Sequence, residues 1–307
     1  MIEELLSAVF GMVTIASAFR TACPIIIAAM GGSFSQKTGT FNMAYECFML
    51  CGAFFAAWGA RYFASSWMGM LCAVAVGLVL AIVFGLLVFV FDANPLVISI
   101  ALNMGAWAMT TLLMQLSFGT RGYYIDKSII NYPVIHIPAL ERVRFLDVVV
   151  NNNIGLVYFA YILIFIGWIV MYKTPFGLRL RGVGINPTAA RTAGVNVNGT
   201  RWTTLIIMGI CTGLAGSYLP LSGLNMFSEN MASGRGFLAF AAILVGKGNP
   251  FHVSLVAFLF AYTEALTTVL TAFELPTQLV LMLPYVAVVI TLFIAGMKSF
   301  TGKPHVD

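Results

Sequence analysis

Lys173-Thr-Pro-Phe-Gly-Leu-Arg-Leu-Arg-Gly-Val-Gly-Ile-Asn-Pro-Thr-Ala-Ala-Arg-Thr-Ala-Gly-Val-Asn-Val-Asn-Gly-Thr-Arg201 is a polar, basic island between two long apolar runs. It carries Lys173, Arg179, Arg181, Arg191 and Arg201 and no acidic residue, which places it on the cytoplasmic side of a membrane. Asn186 suits the position that caps a helix N-terminus and Pro187 the first helical position. Thr188 to Ala193 continue the helix, and Gly194 supplies a left-handed stop. A helix of about two turns is marginal alone in water, so it needs a surface to pack on, and another protein at the membrane face is the candidate. Charge alone is also met by an ordinary positive-inside loop; the paired start and stop signals point instead to a docking element.

Outward from the island, composition sets the class. With 60% hydrophobic and 9% charged residues and a mean hydropathy of +0.95, the chain has too little polar surface to cover a soluble globule. The reading is an all-helical polytopic membrane bundle, a single transmembrane domain over residues 1–307, with lipid around it. The net charge of +5 sits largely in the island and the tail, so it reports orientation; no basic face with interleaved aromatics suggests nucleic acid. Cys23, Cys47, Cys51, Cys72 and Cys211 fall in apolar runs, where free cysteine acts as a small hydrophobe. Glu3 and Glu4 stand where a signal peptide carries Lys, so no cleaved leader is read.

A hydrocarbon core of roughly 30 Å takes about 20 apolar residues per helix. That ruler gives spans at Leu5–Met30, interrupted by Arg20 and Pro24, then Phe41–Ala60, Trp67–Phe91 and Leu96–Phe118, the last preceded by an Asn94 cap and Pro95. A polar connection is read at 31–40. Residues 119–153 form a nearly neutral outer loop, followed by Ile154–Tyr172, the island at 173–201, and Trp202–Ser222. In the last, Gly209, Gly213 and Gly216 present a small-residue face for close helix approach. Gly236–Val245 is apolar but about half the length of a crossing, and is read as a short or broken helix buried in protein or lining a wet cavity. Phe251–Ala272 and Gln278–Met297 complete a total of about eight to ten spans.

The chain lacks the parts of an enzyme. Around Gly246-Lys247 a phosphate-binding loop would need Gly where Ala241 stands and Ser or Thr where Gly248 stands. His136, His252 and His305 are too scattered to bind a metal. No catalytic residue, metal site or bound cofactor is expected. Ionisable groups at membrane depth are costly and mark function by default. Glu46, four residues after Asn42, is read either as lining a polar conduit with it or as an interhelical tie. Glu264 is read as a pathway group or a structural hydrogen bond, and Arg20 as a donor to carbonyls freed by Pro24. Asn103 and Trp107 share a helix face that offers a planar ligand a hydrogen bond and a stacking surface, or simple packing. Gly234, Arg235 and Gly236 are read as orienting the short helix, with Glu229 pairing Arg235.

The run from Gly177 to Asn196 resembles the coupling loop of ABC-importer permeases of the branched-chain amino acid/simple sugar superfamily, whose short helix sits in a groove of the ATP-binding subunit. Three further stretches are similar to the nucleoside branch of that superfamily: Gly39-Thr-Phe-Asn-Met-Ala-Tyr-Glu-Cys-Phe-Met-Leu-Cys-Gly-Ala-Phe-Phe-Ala56, Glu229-Asn-Met-Ala-Ser-Gly-Arg-Gly-Phe-Leu-Ala-Phe-Ala-Ala242 and Met282-Leu-Pro-Tyr285. The chain departs from it where Ile185 replaces an acidic residue and where Met43-Ala-Tyr-Glu-Cys47 replaces an Ile-Gly-Leu-Glu-Gly-like run. The resemblance implies a type II importer fold in a bacterial inner membrane. It also implies coupling through Arg181, Gly182, Asn186, Pro187, Ala190, Arg191 and Gly194, and a substrate path near Asn42, Glu46, Asn103, Trp107 and Glu264. The implied partners are an ATP-binding subunit that holds ATP and Mg, a second and non-identical permease, and an external substrate-binding lipoprotein. Nucleoside is the substrate it favours; a simple sugar on the same machinery and an ion-coupled secondary transporter are the alternatives.

Overall fold

The computed structural model describes residues 11–138, 141, 144–271 and 277–301. Its long helices are α1 (Met12–Lys37), α2 (Tyr45–Tyr62), α3 (Ser66–Gly85, continuing as a π turn over Leu86–Val90) and α4 (Pro95–Phe118). After the short α5 (Arg144–Val149) come α6 (Gly155–Lys173), α7 (Pro175–Ile185), α8 (Pro187–Thr192), α9 (Val197–Leu221), α10 (Arg235–Val245), α11 (Pro250–Leu270), α12 (Thr277–Leu281) and α13 (Leu283–Thr301). Among the described residues seven segments are long and apolar enough to cross a membrane: α1, α3 with its π turn, α4, α6, α9, α11 and Gln278–Met297. The eighteen-residue α2 and the eleven-residue α10 complete the bundle.

α1 and α9 form its centre. Within the α9 span 72% of residues are buried, against 17% in α4 and 11% in Gln278–Met297, so the last two lie at the periphery. Small residues allow the central contacts, as their spacing predicts. A Cβ on Gly213 would lie 2.5 Å from the Ala73 carbonyl oxygen of α3, and one on Gly216 2.3 Å from the Met49 carbonyl oxygen of α2. With no hydrophobic force between helices in lipid, such backbone-to-backbone packing is a main source of association.

The first span differs from the expectation. α1 runs unbroken through Pro24 as far as Lys37, so residues 31–37, read as a polar connection, are helix. Their polarity is absorbed by packing: Ser33 Oγ donates to the Ala29 carbonyl at 2.7 Å, and Gly31 lies against Cys211 and Gly32 against Tyr45 and Ile243. The expected start of that span, Leu5–Phe10, lies outside the described residues. The island also holds more order than its sequence reading allowed, because α7 precedes α8. Thr174 Oγ1 accepts from Gly177 N at 3.2 Å and Pro175 opens the helix, a start signal overshadowed by the glycines at 177, 182 and 184.

On the face opposite the island, β1 (Tyr123–Ile125) pairs antiparallel with β4 (Met226–Ser228), and β2 (Val134–Ile135) with β3 (Asn153–Ile154). Asp126 caps this surface. It accepts from the Tyr124 hydroxyl and from the Ser128 N–H and hydroxyl, and Arg61 stands 3.5 Å away. The Tyr124 hydrogen bond first, then those from Ser128, hold its carboxyl down to about 2.

Candidate functional site

The short helix decides where the site lies. Eleven residues at 1.5 Å rise per residue span about 16 Å, half of a bilayer core. The C-terminal end of α10 abuts the end of α1 that bears the island, since a Cβ on Gly248 would lie 3.2 Å from Lys37 Cε. Its N-terminus therefore opens near the midplane, where four orphan N–H groups would be ruinous in lipid.

Glu46 meets them. Its Oε1 accepts from Gly234 N at 2.8 Å and its Oε2 from Gly236 N at 2.9 Å. Glu46 also stands in the first turn of its own helix α2, so the positive ends of two helix dipoles converge on one buried carboxylate. The fit depends on glycine at both positions. Gly234 adopts φ +84°, and a Cβ on Gly236 would sit 2.4 Å from Glu46 N. Between them Arg235 turns to α11, where its Nη2 lies 2.5 Å from Glu264 Oε1, while its Nη1 donates to the Met231 carbonyl at 3.3 Å. Glu264 Oε2 is buried with no hydrogen-bond partner among the described residues. Each Glu46 oxygen thus has a backbone partner, whereas the Arg235–Glu264 pair, about a quarter exposed, has bonding capacity to spare at Glu264 Oε2.

The structure therefore brings Glu46, Gly234, Arg235, Gly236 and Glu264 into one cluster. Asn42 and Asn103 flank it in a different role. Asn42 does not share a helix face with Glu46, because α2 begins only at Tyr45; its Oδ1 accepts from Ala44 N at 2.7 Å, and its Nδ2 donates to Met208 Sδ at 3.1 Å. Asn103 Oδ1 accepts from Cys47 N at 2.9 Å and its Nδ2 donates to the Met43 carbonyl at 3.1 Å. Both amides satisfy the non-helical backbone that leads into α2, helped by Ser99, whose hydroxyl accepts from Met43 N at 3.0 Å. Ser99 is the residue the sequence reading missed; its place one turn before Asn103 on α4 was the available signal. Trp107 is 56% exposed on the outer side of α4 and joins none of these groups.

Two expected pairings are corrected. Glu229 does not reach Arg235: its Oε1 accepts from Gly122 N at 2.9 Å, pinning β4 to β1. Arg20 serves Asn153, with Nε 2.7 Å from Oδ1, and not the carbonyls near Pro24.

In the island, Asn186 Oδ1 accepts from Ala189 N at 3.0 Å, and Gly194 takes φ +81°. Ala190 faces inward, 8% exposed, in a small apolar nest with Val183 and Val197. The outward face of α8 is Pro187, Thr188, Ala189, Arg191 and Thr192. Arg181 lies over the Tyr172 ring at 4.9 Å, and Gly182 separates it from Val183. Gly184 is seated against the Lys37 carbonyl, where a Cβ would lie 1.9 Å from the oxygen, so the island bears directly on the end of α1.

Residues 14–292 match the family described as the permease component of the branched-chain amino acid transport system. The chain belongs to this permease family. The permease is 31% identical to the guanosine ABC transporter permease protein NupQ of Bacillus subtilis over 93% of each chain. It is 30% identical to the nucleoside ABC transporter permease protein NupC of Lactococcus lactis over 91% of each, and 26% identical to a putative glucose ABC transporter permease of Haloferax volcanii over 80% of this chain and 74% of the relative. No solved structure matches the permease. It is a multi-pass membrane protein and the permease subunit of an ABC transporter.

Proposed function

We propose that this permease carries nucleosides inward across a bacterial cytoplasmic membrane as half of the translocation path of an ATP-driven importer. The observation that carries the substrate is the similarity over nearly the whole chain to relatives named for guanosine and nucleosides. Simple sugar is the second reading, favoured by the more distant relative named for glucose.

The geometry supports a mechanism of rigid-body rocking. An ATP-binding subunit, which holds ATP and Mg, docks on the outward face of α8. Motion there passes through the Val183–Ala190–Val197 nest to α9, and through Gly184 to α1, the two central helices. The Glu46 pin carries α10 with α2, and the Arg235–Glu264 pair, between α10 and α11, is the contact with room to reorganise around a substrate. The peripheral apolar faces of α4 and α13 suit lipid and a second permease subunit, and the outer surface suits a substrate-binding lipoprotein.

The test is uptake of radiolabelled guanosine in cells lacking this chain and in the same cells complemented with it. Complementation that restores guanosine uptake, competed by other nucleosides and not by glucose, is expected. Restored glucose uptake without guanosine uptake refutes the substrate.

A further inference from the structure

A cavity of about 220 Å³ opens in the outer half of the chain, between α1, the end of α9 and the approach to α10. Its mouth is level with Asn153 at the start of α6 and with Ser222 just past α9, the outer membrane boundary, and it deepens to Pro24 and Arg235. The polar lining consists of Arg20, Arg235, Tyr218 and the hydroxyls of Ser17, Thr21 and Ser222, with no acidic side chain among its described lining residues. Arg20 uses only Nε, toward Asn153, and has no acidic partner among the described residues, so both of its Nη groups remain available. The Tyr218 hydroxyl, on a side chain only 8% exposed, has no hydrogen-bond partner among the described residues and lies within the electrostatic reach of Arg20 and Arg235.

A guanidinium at the membrane boundary with both Nη groups free, set beside an unpartnered tyrosine hydroxyl, matches the geometry of a phosphate, while Arg235 keeps its own partner in Glu264. We propose that this cavity is an oxyanion site that takes a phosphate group, borne either by an anionic phospholipid headgroup of the outer leaflet or by a soluble phosphate compound. The site borders Arg235, which the substrate reading also uses, but it rests on Arg20 and Tyr218 and stands without that reading.

The experiment titrates the purified full-length chain in detergent with phosphatidylglycerol, phosphatidylcholine and inorganic phosphate, reading thermal stability and tyrosine fluorescence. Saturable stabilisation by phosphatidylglycerol that phosphatidylcholine does not reproduce is expected for the lipid source; stabilisation by inorganic phosphate that competes with it marks the soluble source. Arg20→Gln should weaken binding by about tenfold or more, and Tyr218→Phe, which keeps the ring, by a few-fold. Equal effects of phosphatidylglycerol and phosphatidylcholine with none from inorganic phosphate overturn the proposal. So does affinity undiminished in Arg20→Gln, or in Tyr218→Phe should Arg20→Gln fail to fold.

Discussion

Replacing Glu46 with Gln keeps the length and shape of the side chain but removes its charge and one of its two acceptors. The amide oxygen can still accept from Gly234 or from Gly236, while the new NH₂ faces the other N–H as donor to donor. A hydrogen bond to a charged group contributes about 1.5–3 kcal/mol, so the N-terminus of α10 should lose roughly that much local stability. That corresponds to amide exchange about tenfold to a hundredfold faster in a peptide covering residues 230–240. Glu46→Ala removes both bonds and should lose roughly twice as much. Hydrogen-exchange mass spectrometry in detergent reads this directly, with the α9 peptides as internal control. Uptake in proteoliposomes should fall alongside, because an unpinned α10 no longer moves with α2. Exchange at 230–240 unchanged in a folded Glu46→Gln protein would refute the reasoning, and would mean that another group caps the half-length helix.

Ala190→Asp places a carboxylate in the nest of Val183 and Val197, so it should abolish uptake by unseating α8 while the chain still inserts; normal uptake in that variant removes the coupling role of the nest. Gly77→Ala builds a Cβ 2.2 Å from the Gly209 carbonyl oxygen, and overpacking of about 1–3 kcal/mol should lower the detergent melting temperature; an unchanged midpoint would mean that α3 and α9 are further apart. Arg235→Gln strands Glu264, so it should destabilise more than Arg235→Gln combined with Glu264→Gln, and additive losses in a double-mutant cycle would argue against the pair. Asp126 titrates near 2, below the roughly 3.9 of an unfolded chain, so its contribution to the outer surface is complete above about pH 4 and vanishes as pH falls through 2. Protease resistance of the outer loop should follow that window and lose it in Asp126→Asn.

Much of this protein is legible in the sequence alone. Each span is a local property of hydropathy against a fixed thickness, and the boundaries of α4, α6 and α11 follow from it, whereas α9 starts at Val197, inside the stretch read as the island and five residues before the expected Trp202. The Asn94–Pro95 and Asn186–Pro187 starts, the Gly194 stop and the half-length of α10 are local too, since each cap bonds within its own turn. The small-residue face of α9 could also be read, because spacing on one helix fixes what that helix presents.

Only the tertiary structure decided which faces meet. Glu46 finds Gly234 and Gly236 across separations of 188 and 190 residues, and Arg235 takes Glu264 although Glu229 is nearer in sequence. Asn42 and Asn103 became backbone supports because the chain before Tyr45 is not helical, and Ala190 turned inward because Val183 and Val197 converge beneath it. In lipid, hydropathy says that a polar group must be buried and satisfied, and it is satisfied by whichever partner the packed helices deliver. That choice is a property of the assembled bundle, which no single helix carries in its own sequence.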